Sequence, residues 1–335
     1  MIPSSAPHVQ YEFWKKELAS AIKDPAELFD CLELPPQYLT EAIQVSRLFP
    51  LRVTRGFMAR MQKGDINDPL LLQVLPLQLE TVDTPGFVSD PVGDTAAAAV
   101  PGVIHKYRGR VLLITTGACG IHCRYCFRRH FPYADHSPSY LNWHSALRYI
   151  AQDSSITEVI LSGGDPLSLS DAKLSQLLFA LAHIAHLKTV RIHSRMPIVL
   201  PRRIVPSLLS ALTSTALKVV FVVHTNHANE IDQEVAASLA ALHCAGIVLF
   251  NQTVLLKNIN DNASDLALLS EKLFQAKVIP YYLHQLDPVA GGAHFFVDHG
   301  RIKTIYTELQ QQLPGYLVPK LVKEIPGATH KIAVL

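Results

Sequence analysis

A chain of 335 residues with 49% apolar composition has material for a large core and for one or two domains. A charged fraction of 17%, against about a quarter in ordinary globular chains, and a formal net charge of only +2 exclude the broad basic field of a nucleic-acid binder. The opening stretch Met1-Ile-Pro-Ser-Ser-Ala-Pro7 lacks a charged-then-apolar leader, and no apolar run reaches the roughly 18 residues of a membrane span. The expectation is a soluble, cytoplasmic protein with no membrane partner.

Residues 1–82 read as a helical region, with helices over Tyr11–Ile22, Pro25–Leu32, Glu41–Leu48 and Thr54–Gln62. Pro35-Pro36, Pro50 and Gly64-Asp65 punctuate them. Residues 83–102, with Pro85-Gly86, Asp90-Pro91, Gly93-Asp94 and an alanine run ending at Val100-Pro101, read as a linker or extended strap. From there the chain alternates. Strands are expected at Val111–Thr115, Glu158–Ser162, Thr189–Ser194, Val219–His224, Ile247–Val254 and Val278–His284. The helices between them are expected at Trp143–Gln152, Asp171–His183, Val205–Thr213, Glu230–Cys244 and Asn262–Gln275, with a last one at Arg301–Leu313. Alternation of this kind implies right-handed βαβ units and a parallel sheet, here an α/β core over 103–300 followed by a C-terminal segment, 301–335.

The polar residues favour an incomplete six-strand barrel over a flat sheet, because they gather where strands end. Cys119, Cys123 and Cys126 follow the first strand, and Ser162-Gly163-Gly164-Asp165-Pro166 the second. His193-Ser194-Arg195, His224-Thr225-Asn226-His227, Asn251-Gln252 and His284-Gln285-Leu286-Asp287 follow the others. In barrels the carboxyl ends of the strands converge on one site. Each group alone reads equally well as a helix cap or a satisfied turn residue; His183, His186 and His243 read only as helix or surface residues. Five cysteines is an odd number, and three of them in C-x₃-C-x₂-C suit a metal centre in a reducing compartment. Three thiols around a four-iron, four-sulfur cluster leave one iron open. Structural zinc, with His122 or His130 as fourth ligand, is the competing reading. Cys31 and Cys244 fall in apolar helical patterns and read as buried packing residues.

The cysteine spacing after one strand and the glycine pair after the next resemble the radical S-adenosylmethionine (SAM) enzymes. Further stretches resemble the lysine 2,3-aminomutase family over roughly residues 50–331: His105–Arg110, Cys126–Phe131, His224–Glu230, Asn251-Gln252 and Tyr281–Asp287. Arg-Tyr-Cys-Phe-Arg-Arg-His-Phe-Pro-Tyr and the late Gly-Tyr-Leu-Val-Pro-Lys-Leu are closest to the branch that supplies (R)-β-lysine for modification of elongation factor P. The resemblance implies a radical SAM (β/α)₆ partial barrel with an N-terminal helical cap, a [4Fe–4S] cluster on Cys119, Cys123 and Cys126, and SAM beside Gly163, Gly164 and Asp165. It also implies pyridoxal 5′-phosphate (PLP) carried by Lys331, in Glu324-Ile-Pro-Gly327-Ala-Thr-His-Lys331. This segment keeps one glycine where the family has a run. Arg110, His224 and Gln252, with Lys106 as a further candidate, match the PLP-phosphate positions. Arg128 matches the clamp on the substrate carboxylate, a role suited to a planar guanidinium.

Asp287 and Glu324 match the two acidic positions that grip the far ammonium of L-lysine; the family has Asp where this chain has Glu324. Two carboxylates there select lysine over glutamate, whose own carboxylate they repel. The implied activity is isomerisation of L-lysine to (R)-β-lysine, with an external reductant feeding the cluster. The implied partners are a lysyl-tRNA-synthetase-like ligase and elongation factor P. The alternatives at this stage are a free-lysine or glutamate aminomutase, a family member that has lost PLP, and a non-catalytic zinc or iron–sulfur module.

Overall fold

The computed structural model describes residues 7–136 and 140–335, so the leader reading of residues 1–6 lies outside the described residues. Its centre is a ten-stranded sheet in strictly sequential order. An edge of short strands comes first: β1 (Ala98–Val100), β2 (Val103–Tyr107) and β3 (Arg110–Thr116), joined antiparallel. Then β3, β4 (Glu158–Gly163), β5 (Thr189–Ser194), β6 (Lys218–His224), β7 (Val248–Leu255) and β8 (Ile279–Gln285) run parallel. These are the six expected strands, each within two residues of its expected bounds. β9 (Lys320–Lys323) adds in parallel to β8, and β10 (Ile332–Ala333) closes the order antiparallel to β9. β1 and β10 do not pair, so the barrel is open.

The sequence reading passed over β1, β2, β9 and β10, whose lengths of two to five residues leave no periodicity to detect. β9 matters for function: it docks the C-terminal segment on β8 and so carries Glu324 and Lys331 back to the barrel.

The helices start where a capping side chain tells them to. Ser170, Asp232, Asn262 and Asp298 each accept a hydrogen bond from a backbone N–H three residues on, opening Asp171–Ala182, Gln233–Cys244, Ala263–Gln275 and His299–Gln312. The expected helix over Glu230–Cys244 therefore begins later. The Glu230 carboxylate instead binds the backbone N–H groups of Asn226 and His227, holding a separate turn at Ala228–Glu230. The expected helix over Thr54–Gln62 is a single turn, Arg55–Met58, because Gln62 N–H turns away to Asp68. Cys244, expected to be buried, is exposed at the last residue of its helix, and Cys31 is half-buried.

The N-terminal helices do not form a core of their own. Trp14, Ile22, Leu28, Phe57 and Leu71 belong to the same buried cluster as Val111, Leu161, Ile192 and Phe221 of the strands. Burial at about 25 cal/mol per Å² makes this shared interior the main term holding helices and barrel together. Among the described residues no helix is long and apolar enough to cross a membrane.

Candidate active site

The strap between the helices and the barrel is fixed in place. Val88 bridges to Val289 beyond β8, and the Asp90 carboxylate accepts from the backbone N–H of Asp94 and of Thr95, each at 2.9 Å. This turn delivers Asp94, 2% exposed, to the interior. There it pairs with Arg128 Nε at 2.7 Å and with Lys106 Nζ at 2.5 Å. Lys106 also reaches Glu324 Oε1 at 2.8 Å, and Glu324 Oε2 reaches Lys331 Nζ at 2.6 Å. A ladder of alternating charge thus runs Arg128, Asp94, Lys106, Glu324, Lys331. Burial would raise the Glu324 carboxyl, but the fields of Lys331 and Lys106 outweigh it and bring it down to about 2. Asp287, beside the end of this ladder, is pushed up to about 7 by burial and by the neighbouring Glu324.

These residues line a cavity of about 690 Å³, of the size that holds a cofactor with a small substrate. Arg110, His224, Gln252, Lys106, Arg128, Asp287, Glu324 and Lys331 all face it, so eight of the fourteen site residues that the resemblance implies meet in one space. Arg110 stands at the opposite end of β3 from the cysteine loop, with its guanidinium over Tyr107 at 4.7 Å, so the cavity extends through the barrel and not only across its mouth. Three histidines project into it from β5, β6 and β8. Among the described residues, Nε2 of His193, His224 and His284 is buried without a hydrogen-bond partner. Burial, followed by nearby cations, depresses all three, His224 to about 4. Neutral imidazoles with idle nitrogens need a polar occupant to satisfy them. A phosphorylated pyridine aldehyde would fit such a lining, with Lys331 available as an amine and Arg110 as a cation.

The cysteine loop lies at the carboxyl end of β3. Burial and the other two thiols raise the Cys119 thiol, while Cys126 is pushed up to about 11 by burial and by Cys123, which reflects how near the three lie to one another. Among the described residues no three His, Cys, Asp or Glu side chains converge on a single ion. Of the two proposed fourth ligands, His122 Nδ1 lies 2.8 Å from Pro50 O and His130 Nε2 lies 3.0 Å from Ala290 O, which leaves each ring one further nitrogen.

The glycine pair presses on this loop. A Cβ on Gly163 would stand 2.9 Å from Ile114 Cγ2, at a φ of 109° that side chains avoid, and one on Gly164 would overlap Ala118 O. Asp165 does not face the cavity. Its carboxylate accepts from Ser194 Oγ at 2.7 Å and from the N–H groups of Leu167, Arg195 and Met196, so it anchors the end of β5. Sequence reasoning missed Asp94, which reads as an ordinary Gly-Asp turn residue, and missed the partners of Lys106.

Three thiols on one loop over an open parallel barrel, next to a cavity of paired charges, define an enzyme of the radical SAM class. The L-lysine 2,3-aminomutase of Escherichia coli (strain K12) is 47% identical over 321 residues, covering 96% of this chain and 94% of that protein. The protein of the same name from Haemophilus influenzae is 46% identical over 95% of the chain and 94% of its own length, and that from Clostridium subterminale 33% identical over 96% and 77%. No family model matches. A solved radical SAM methyltransferase from Sphaerobacter thermophilus is similar over 64% of this chain and 66% of its own, at 14% identity and a TM-score of 0.45. The chain belongs to the lysine 2,3-aminomutase family, a family of isomerases. Membership implies a [4Fe–4S] cluster and SAM.

Proposed function

We propose that this protein converts L-lysine to (R)-β-lysine, using PLP together with the cluster and SAM, and that the product serves the modification of elongation factor P. The carrying observation is that one cavity is lined both by the Arg128 guanidinium and by the Asp287 and Glu324 carboxyl groups, charges that suit a zwitterion with a further ammonium. When bound, the cofactors supply a carbon radical for hydrogen removal and a π-system through which an amino group can move to the neighbouring carbon.

The protein's part is orientation. Arg128, held by Asp94 and by Ser162 Oγ at 3.2 Å, offers its remaining N–H groups to the substrate carboxylate. Asp287 and Glu324 take the side-chain ammonium, and Glu324 must first release Lys331. Lys331 would supply the amine that holds PLP, and Arg110, His224 and Gln252 would hold its phosphate.

The elongation factor P assignment draws support from the motif around Cys126 and from higher identity to the Escherichia and Haemophilus proteins than to the clostridial one. A lysyl-tRNA-synthetase-like ligase would then consume the product, and a one-electron donor would feed the cluster.

Anaerobic incubation with lysine, SAM, PLP and dithionite, followed by chiral analysis, should yield (R)-β-lysine; recovery of unchanged α-lysine from iron-loaded protein sinks the reading. Cys123→Ala should give colourless protein that leaves SAM intact. Borohydride should no longer fix PLP to Lys331→Ala, and labelling that persists points to another lysine.

A further inference from the structure

Arg195, the residue after β5, sits in a buried polar network that the reaction outlined above does not use. It is 5% exposed, and its partner Glu230 is fully buried. One arm of the guanidinium, NH1, donates to Cys123 Sγ at 2.8 Å and to Tyr125 OH at 2.7 Å. The other, NH2, donates to Gln73 Oε1 at 2.6 Å and to Glu230 Oε2 at 2.9 Å. The placement is rigid. Asp165 holds the Arg195 backbone N–H at 2.8 Å, and Gln73 accepts Arg124 N–H at 2.9 Å, which ties the N-terminal helical region to the cysteine loop.

Glu230 and Gln73 satisfy NH2, Nε has no partner among the described residues, and Tyr125 OH takes only one of the two hydrogens on NH1. A contact at 2.8 Å with sulfur adds something else. A neutral thiol is a weak acceptor, whereas a thiolate makes a charge-assisted bond. Hydrogen bonds and charge at the cysteine sulfurs are among the factors that set an iron–sulfur potential. The Arg195–Glu230 pair is neutral as a whole, so the cluster feels its oriented dipole, positive end toward Cys123. That end stabilises the added electron of the reduced state.

We propose that Arg195 is a positioning residue that raises the reduction potential of the cluster through Cys123, with Glu230 as its counter-charge; this rests on the cluster reading above. Arg195→Gln removes the charge. Arg195→Lys keeps the charge but has one nitrogen where two arms are needed, and it will follow the Glu230 carboxylate away from the sulfur. It therefore serves even where the uncompensated Glu230 prevents Arg195→Gln from folding.

The test is anaerobic redox titration of reconstituted protein, reading the electron paramagnetic resonance signal of the reduced cluster against applied potential, with iron and sulfide content measured alongside. At the wild-type midpoint, the ratio of reduced to oxidised cluster in Arg195→Gln should fall about tenfold, equivalent to about 59 mV for one electron. Arg195→Lys should shift the same way by less. A loaded variant of either kind with the wild-type midpoint overturns the proposal while leaving the cluster in place. Wild-type protein that takes up no iron and sulfide overturns the cluster reading, and the proposal with it.

Discussion

Two acids, Asp94 and Asp287, bear most of the electrostatic argument. Asp94 is the counter-charge of both Arg128 and Lys106. Asp94→Asn leaves two buried cations short of a partner, and breaking a buried pair of this kind costs about 3–5 kcal/mol. A melting curve should show the loss, and KM for lysine should rise, because Arg128 is no longer held toward the cavity. Unchanged KM would mean that Arg128 needs no such support. Asp287 makes a pH-dependent contribution. Its folded value of about 7 lies above its ordinary 3.8, so the ligand-free fold retains a proton that the unfolded chain releases. That stability is fully present below about pH 4 and is lost as pH rises through about 7. Asp287→Asn should flatten this part of the melting temperature against pH. On the proposed reading lysine binds as a cation against ionised Asp287, so its apparent Kd should fall roughly tenfold per pH unit approaching 7, then level off. A Kd independent of pH between 5 and 8 would place the ammonium elsewhere.

Among the elements, the turn after β4 is the most tightly constrained. Gly164 lies against the backbone of Gly117 and Ala118, so Gly164→Ala must push the cysteine loop outward. Iron per chain and the brown chromophore should drop well below half, with the fold otherwise retained; full loading would show that the loop can yield. The six parallel strands were legible in the sequence because each is a short stretch rich in β-branched and aliphatic residues ending in a polar cluster. The hairpin of β1 and β2 and the added β9 were not, since strands this short owe their existence to the neighbour they pair with, not to their own pattern. The site divided in the same way. Lys331, Arg128 and Asp287 carry motif context, whereas Asp94 gives no signal until Asp90 and Val88 are seen to pin the strap. Arg195 stood in a recognisable strand-end cluster, but its contact with Cys123 spans 72 residues and leaves no local trace.

For the molecule as a whole, the interior shared by the helices and the barrel predicts one cooperative transition. The two tryptophans test this, since fully buried Trp14 belongs to the helices and Trp143 packs on the barrel's outer helix layer. Trp14→Phe and Trp143→Phe, each leaving a single reporter, should melt with the same midpoint by fluorescence and by circular dichroism. Separate midpoints would make the helical region an independent unit. The charge ladder has a temporal side as well. Lys106 and Glu324 are 218 residues apart, and Lys331 is the last of the pocket residues to be translated. A ribosome moves from one to the other over many seconds. Until that interval ends Lys106 lacks Glu324, and Glu324 in turn has its second cation only once Lys331 follows, so the cavity's charges come into balance only when the C-terminal segment has been made.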